Sequence, residues 1–157
     1  MKRMLVFMVI GCLLVGSANA QKSAKALYAE IGGPGLASIN YDMRFAKKED
    51  GLGFRVGIGG FSVDGTSLFL VPVGLNYIMS KDQKNYFELG AGVTYATIND
   101  DFDDGDDFYD GTFGHLNIGY RLQPRDGGFF FRAAINPVFG SGTFFPYYAG
   151  IGFGYKF

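Results

Sequence analysis

In the segments of this chain that read as β-strands, the charged residues fall on a single parity. They are Glu30 in ALYAEIG, Asp42 and Arg44 in ASINYDMRF, Arg55 in GFRVGIG and Glu88 in YFELGAGVTYA. Arg121 in HLNIGYRL, Arg132 in FFFRAAI and Lys156 in GIGFGYKF complete the set. The other parity is apolar or aromatic: Ile39, Tyr41, Met43 and Phe45, or Leu89, Val93 and Tyr95, or Ile151, Phe153, Tyr155 and Phe157. Strand side chains alternate between faces with period two, so each strand has one greasy face and one charged face. A soluble barrel turns the greasy face inward, whereas a membrane barrel turns it toward lipid.

The first 20 residues decide between these. Lys2 and Arg3 form a charged start, Met4 to Val15 an apolar core, and Ala18-Asn19-Ala20 a small-x-small cleavage site. Residues 1–20 are read as a secretory signal peptide and 21–157 as a single barrel domain. Cleavage takes the formal charge from −1 to −3, because Lys2 and Arg3 leave with the leader. A second reading is a lipoprotein box at Val9-Ile10-Gly11-Cys12, although Leu13-Leu14-Val15 makes an odd start for a mature chain. With ordinary cleavage the one cysteine is lost, and with it thiol and disulfide chemistry.

After the leader no apolar run approaches the ~20 residues of a membrane helix, so any crossing is by strands. The 25 glycines, 17 Phe and 10 Tyr suit many short strands with closely approaching backbones. Turn signals delimit strands near 26–32, 37–45, 51–60, 67–78, 85–97, 112–122, 129–139 and 147–157. Several have the ~9–11 residues that a tilted strand needs to cross a bilayer. The expected fold is therefore all-β, an eight-stranded antiparallel up-and-down transmembrane β-barrel. Pro72 and Pro137 sit inside strand candidates and predict bulges or early strand endings, since proline cannot donate to a ladder.

The connections alternate in charge. Residues 46–50, 80–84 and 123–127 carry Lys or Arg, whereas 33–35, 62–65, 98–111 and 140–143 carry none. This segregation predicts opposite sides of a membrane, with the short basic turns and both termini in the periplasm. On the apolar parity Phe45, Phe54, Tyr77, Phe87, Tyr120, Phe129, Tyr155 and Phe157 gather at the proposed periplasmic ends as an aromatic girdle. Phe69, Tyr95, Phe139 and Tyr147 are candidates for the outer one.

The chain ends Gly152-Phe153-Gly154-Tyr155-Lys156-Phe157. Gly152, Tyr155 and Phe157 resemble the C-terminal signal that outer-membrane barrels present to their insertion machinery, with Gly150 where a polar residue is usual. With the leader and strand count, residues 21–157 resemble a small barrel of the OmpA/OmpX type. Strands such as VPVGLNY and ELGAGVTY are similar to barrel proteins of Bacteroidetes. The resemblance implies a bacterial outer-membrane location and contact with outer-membrane lipid, lipopolysaccharide and the insertion machinery. It carries little functional specificity, because the fold hosts adhesins, anchors, channels and lipid-modifying enzymes.

Three constellations are candidate sites. The first is the lumen charge set Glu30, Asp42, Arg44, Arg55, Glu88, Arg121, Arg132 and Lys156, read as a salt-bridge network or as an ion pathway. With the topology above most of these charges lie in the periplasmic half. The outer half is lined by Gly57, Gly59, Pro72, Gly92, Thr94, Asn117, Ala134 and Gly150, which predicts a shallow vestibule open to the outside.

The second is the acidic stretch Asp100 to Asp110, holding seven of the chain's 15 acidic residues. Asp100, Asp101, Asp103, Asp104, Asp106 and Asp107 are candidate Ca²⁺ or Mg²⁺ ligands, since hard cations take oxygen donors. Their spacing does not fit an EF-hand, and a solvated, self-repelling loop is the competing reading. Phe102, Phe108 and Tyr109 offer anchors for an extracellular partner.

The third, His115, is the sole imidazole; without a matching Ser and Glu it reads as a hydrogen-bonded lumen residue. No cofactor motif, phosphate loop or nucleic-acid patch is present. The expectation is a monomeric, non-catalytic barrel with a structural or surface-interaction role. Its alternatives are a narrow channel or small-solute binding barrel, and a soluble lipocalin-like carrier.

Overall fold

The computed structural model describes residues 23–63, 66–100, 109–140 and 142–157. The expected signal peptide, residues 1–20, and Cys12 lie outside them, as does 101–108 of the acidic stretch. The strands are β1 (Lys25–Gly32), β2 (Ala37–Arg44), β3 (Gly51–Val63), β4 (Thr66–Met79), β5 (Asn85–Asp100) and β6 (Tyr109–Leu122). They continue with β7 (Gly128–Ile135), β8 (Val138–Gly140), β9 (Thr143–Phe145) and β10 (Ala149–Lys156). All pairings are antiparallel, and the run from β1 to β7 closes through β10 back onto β1. No described helix is long and apolar enough to cross a membrane.

These ten segments make eight staves. β8 continues the register of β7 on β6: Ile118 faces Ile135 and Gly114 faces Phe139, an unbroken count. The interruption falls at Asn136-Pro137, where proline lacks the N–H a ladder needs, yet the Pro137 carbonyl still accepts from Leu116 N at 2.8 Å. β9 and β10 form the last stave, with one extra residue between them. The count shifts from Val138 opposite Phe145 to Ile135 opposite Ala149, a bulge around Pro146.

Pro72 behaves differently from its expectation. β4 runs straight through it with an unbroken ladder to β5. Only the β3 side is interrupted, between Val56–Val73 and Gly59–Leu70, and the register is kept. The missing donor is thus confined to one neighbour, so neither a bulge nor a strand ending results.

The period-two reading decides which face is buried. Leu27, Ile39, Phe54, Val73, Leu89, Ile118 and Phe153 point outward, most of them about half exposed, while Ala26, Tyr28, Ile78, Tyr86 and Phe130 lie inside. Eight staves leave an interior just wide enough for side chains. Tyr28 packs on Phe130, with ring centroids 4.8 Å apart, and the Arg121 guanidinium lies 5.1 Å from the Phe130 ring.

Three turns gather at one end with the first and last described residues. Ser23, Lys47, Lys48, Lys81, Arg125 and Phe157 line one shared basin there. In the second turn the exposed Asp82 carboxylate accepts from Asn85 Nδ2 (2.5 Å), Asn85 N (2.8 Å), Lys84 N (3.0 Å) and Ser80 Oγ (2.9 Å). These bonds, led by that from the Asn85 side chain, hold its pKa below the usual carboxylate range.

Candidate functional site: a lumen crossed by ion pairs

All eight sequence-predicted lumen charges are buried inside the barrel. Seven of them join in one chain of ion pairs that runs from stave to stave. Arg55 Nη2 meets Glu30 Oε2 at 3.0 Å, and Glu30 Oε1 pairs with Arg132. Arg132 Nε meets Glu88 Oε1 at 3.1 Å, and Glu88 Oε2 takes Arg121 Nε at 2.8 Å. Arg121 then clasps Asp42 with both terminal nitrogens, at 2.9 and 3.0 Å, and Asp42 Oδ1 accepts from Arg44 Nη2 at 2.6 Å. The order is Arg55–Glu30–Arg132–Glu88–Arg121–Asp42–Arg44, with cation and anion strictly alternating.

Alternation is what lets the set exist. An isolated charge in such an interior costs several kcal/mol in lost hydration, which is offset only when each oxygen and nitrogen finds a partner. Here each carboxylate is held between two guanidiniums, and the forked Arg121–Asp42 contact fixes orientation as well as charge.

Lys156 stands apart from this chain. Its Nζ meets Glu49 Oε1 at 2.8 Å and also donates to the Arg125 carbonyl, so it ties the last strand to two turns. The lumen charges therefore divide into a central chain and a rim clamp.

Sequence reasoning missed several uncharged partners. Asn76 donates to Asp42 Oδ2 at 2.5 Å and accepts from Arg44 at 2.5 Å. Asn117, read only as lumen lining, donates to Glu88 Oε1 at 2.5 Å and accepts from Arg132. Gln123 receives Arg121 at 3.3 Å and donates to the Glu49 backbone oxygen at 3.1 Å. Gln123 shares the parity of Arg121, and Asn76 lies on the parity opposite the outward Val73, Leu75 and Tyr77, so parity could have flagged both; a search for charge alone passes over them. Glu49 sits in a turn, where no periodicity exists to mark it.

His115 is buried, with Nδ1 3.2 Å from Thr94 Oγ1, which matches the hydrogen-bonded lumen reading. Of the six aspartates proposed as metal ligands, Asp100 ends β5 opposite Thr66. The other five lie outside the described residues. Gly152, Tyr155 and Phe157 lie at the end of the last stave, with Tyr155 and Phe157 exposed on its outer face.

The expected outer vestibule is corrected. A cavity of about 710 Å³ opens at the turn end. At the opposite end the β1–β2 connection, Gly33–Gly35, folds inward as a buried 3-10 turn. Gly32 (φ 74°) and Gly33 (φ 68°) take the left-handed backbone that makes this reversal. The turn lies against Gly59 and Gly150, two of the glycines expected to line open space. Those glycines make room for a plug of backbone.

A closed eight-stave barrel with an apolar outer wall and a charged, filled interior is the architecture of a small outer-membrane β-barrel. Solved structures agree on the fold. The N-terminal β-barrel domain of Pseudomonas aeruginosa OprF matches with a TM-score of 0.63 and 15% identity, over 86% of this chain and 96% of that one. Neisserial surface protein A matches at 0.57 and 13% identity, over 89% and 98%. The Yersinia pestis outer membrane protein Ail, in a phospholipid bilayer nanodisc, matches at 0.55 and 12% identity, over 87% and 99%. No protein-family model and no curated protein sequence matches the chain.

Proposed function

We propose that this chain is an integral protein of the bacterial outer membrane with a structural or surface-interaction role and no catalytic activity. The observation that carries the reading is the pairing of an outward apolar wall with an interior crossed by ion pairs. A wall that exposes Leu27, Ile39, Ile58, Val93 and Ile118 suits lipid, which cannot hydrogen-bond and therefore selects closed barrels. A lumen occupied by seven interlocked charges is a brace between staves, and it argues against the channel reading.

In this proposal the basic turns and both termini face the periplasm. The stretch from Asp100 to Asp110 then reaches the exterior as the contact element, toward lipopolysaccharide or an extracellular partner. The protein acts as a monomer, delivered by the insertion machinery through Gly152, Tyr155 and Phe157.

Cell fractionation tests the location: the protein is expected in the outer-membrane pellet, released by detergent and not by high salt. Release into plain buffer overturns the reading in favour of a soluble carrier. The acidic element is tested by calorimetric titration with CaCl₂. Saturable heat is expected if the carboxylates take a divalent ion as ligands; its absence leaves the stretch as a solvated loop.

A further inference from the structure

The staves differ in length, and the difference leaves a notch in the wall. β1 and β2 have 8 residues each, whereas β3 and β4 have 13 and 14. β2 last pairs β3 at Ser38–Gly59, so beyond it Gly60–Val63 pair only with β4 among the described residues. On the other flank β1 last pairs β10 at Gly32–Gly150, and among the described residues β9 pairs only with β8. Two strand edges therefore face each other across the gap above the inward-folded turn.

Below this notch the outer wall is recessed. Ala29 and Ala37 alternate with larger outward neighbours, and Ile31, Ile39, Ile58 and Phe69 stand around them. The groove is shallow and open to its surroundings, with a volume of about 480 Å³. Ile31 is 78% exposed, well above the belt's usual half, and its cross-strand neighbour on β2 is only Ala37.

We infer that this groove seats one acyl chain of a membrane lipid, with the lipid's ester and headgroup region at the notch. Three observations point to that occupant. The groove is continuous with the apolar wall, so hydrocarbon is the medium against it. Its small floor and branched walls suit a slender, flexible chain. The polar strand edges at its upper end match the polar end of the same molecule, and unpaired backbone groups are costly against hydrocarbon. The seated lipid covers what the short β1–β2 pair leaves bare. This inference rests on the membrane location proposed above.

The chain contains no Trp, so a single introduced indole reports its own surroundings. Phe69→Trp marks the groove, and Tyr95→Trp marks plain wall on β5. Each variant is refolded into phosphatidylcholine bilayers with a rising fraction of dibromo-phosphatidylcholine, which quenches indole on contact. At Tyr95→Trp several exchanging chains are in reach, so fluorescence is expected to fall more steeply than linearly. At Phe69→Trp one seated chain is expected to give a linear fall.

Filling the groove with Ala37→Leu in the Phe69→Trp background is expected to restore the steep curve. The same steep curve at both positions, or a linear one untouched by Ala37→Leu, overturns the inference. Absence of quenching at Tyr95→Trp overturns the membrane reading itself.

Discussion

Glu88 sits at the middle of the lumen chain. It accepts from Arg121, Arg132 and Asn117, so its removal leaves Arg121 with Asp42 alone and Arg132 with Glu30 alone, one negative charge short in the buried chain. Breaking a buried ion network from one side typically costs about 3–5 kcal/mol, much of it the exposure of an unpaired charge to a poor solvent. Glu88→Ala is therefore expected to lower the unfolding free energy by about that amount, read from urea titration of the refolded barrel in lipid vesicles. Lys156→Met is the contrasting case. It leaves Glu49, which water reaches at the rim, so a smaller loss of about 1–2 kcal/mol is expected. Equal losses at the two positions would contradict the division into central chain and rim clamp. Parity alone had put both residues on the same face. It contained nothing about which carboxylate each cation meets, because those partners lie up to 107 residues apart.

At the scale of elements, the inward turn at Gly33–Gly35 is the feature least legible in the sequence. Gly-Pro-Gly announces a turn, and glycines on the lumen parity announce space. Neither says that the turn occupies the space, since that depends on β1 and β2 being shorter than their neighbours. Gly150 shows the fit: a Cβ there would lie 2.8 Å from Gly33 N and 3.2 Å from Glu30 Oε1. Gly150→Val is expected to displace the turn and destabilise the barrel by about 1–3 kcal/mol, the usual range for overpacking. The local readout is hydrogen exchange at the Leu36 amide, which donates to the Gly33 carbonyl at 3.1 Å and should lose protection. Unchanged protection would mean that the turn is held by something other than this contact. The two prolines make the same point from the other side. Pro137 interrupts a stave and Pro72 does not, because the effect of a missing donor depends on which neighbour the N–H would have faced.

For the whole molecule, the prediction concerns passage through the lumen. Seven alternating charges and the inward turn fill the cross-section, so reconstituted wild-type protein is expected to show no stepwise conductance in planar bilayers. Glu30→Ala combined with Arg132→Ala removes the pair joining one side of the chain to the other and is the variant expected to leak. Reproducible steps from the wild-type protein would favour the channel reading over the brace.

The sequence by itself determined the strands, their faces and the closed all-β architecture. Those follow from a period-two pattern that each strand carries locally, together with the antiparallel order that short turns impose. Only the tertiary structure decided the pairing order of the charges, the filling of the glycine-lined half, and the notch with its apolar groove. Each depends on how stave lengths and registers add up around a closed ring, so residues far apart in the chain meet at distances no local pattern encodes.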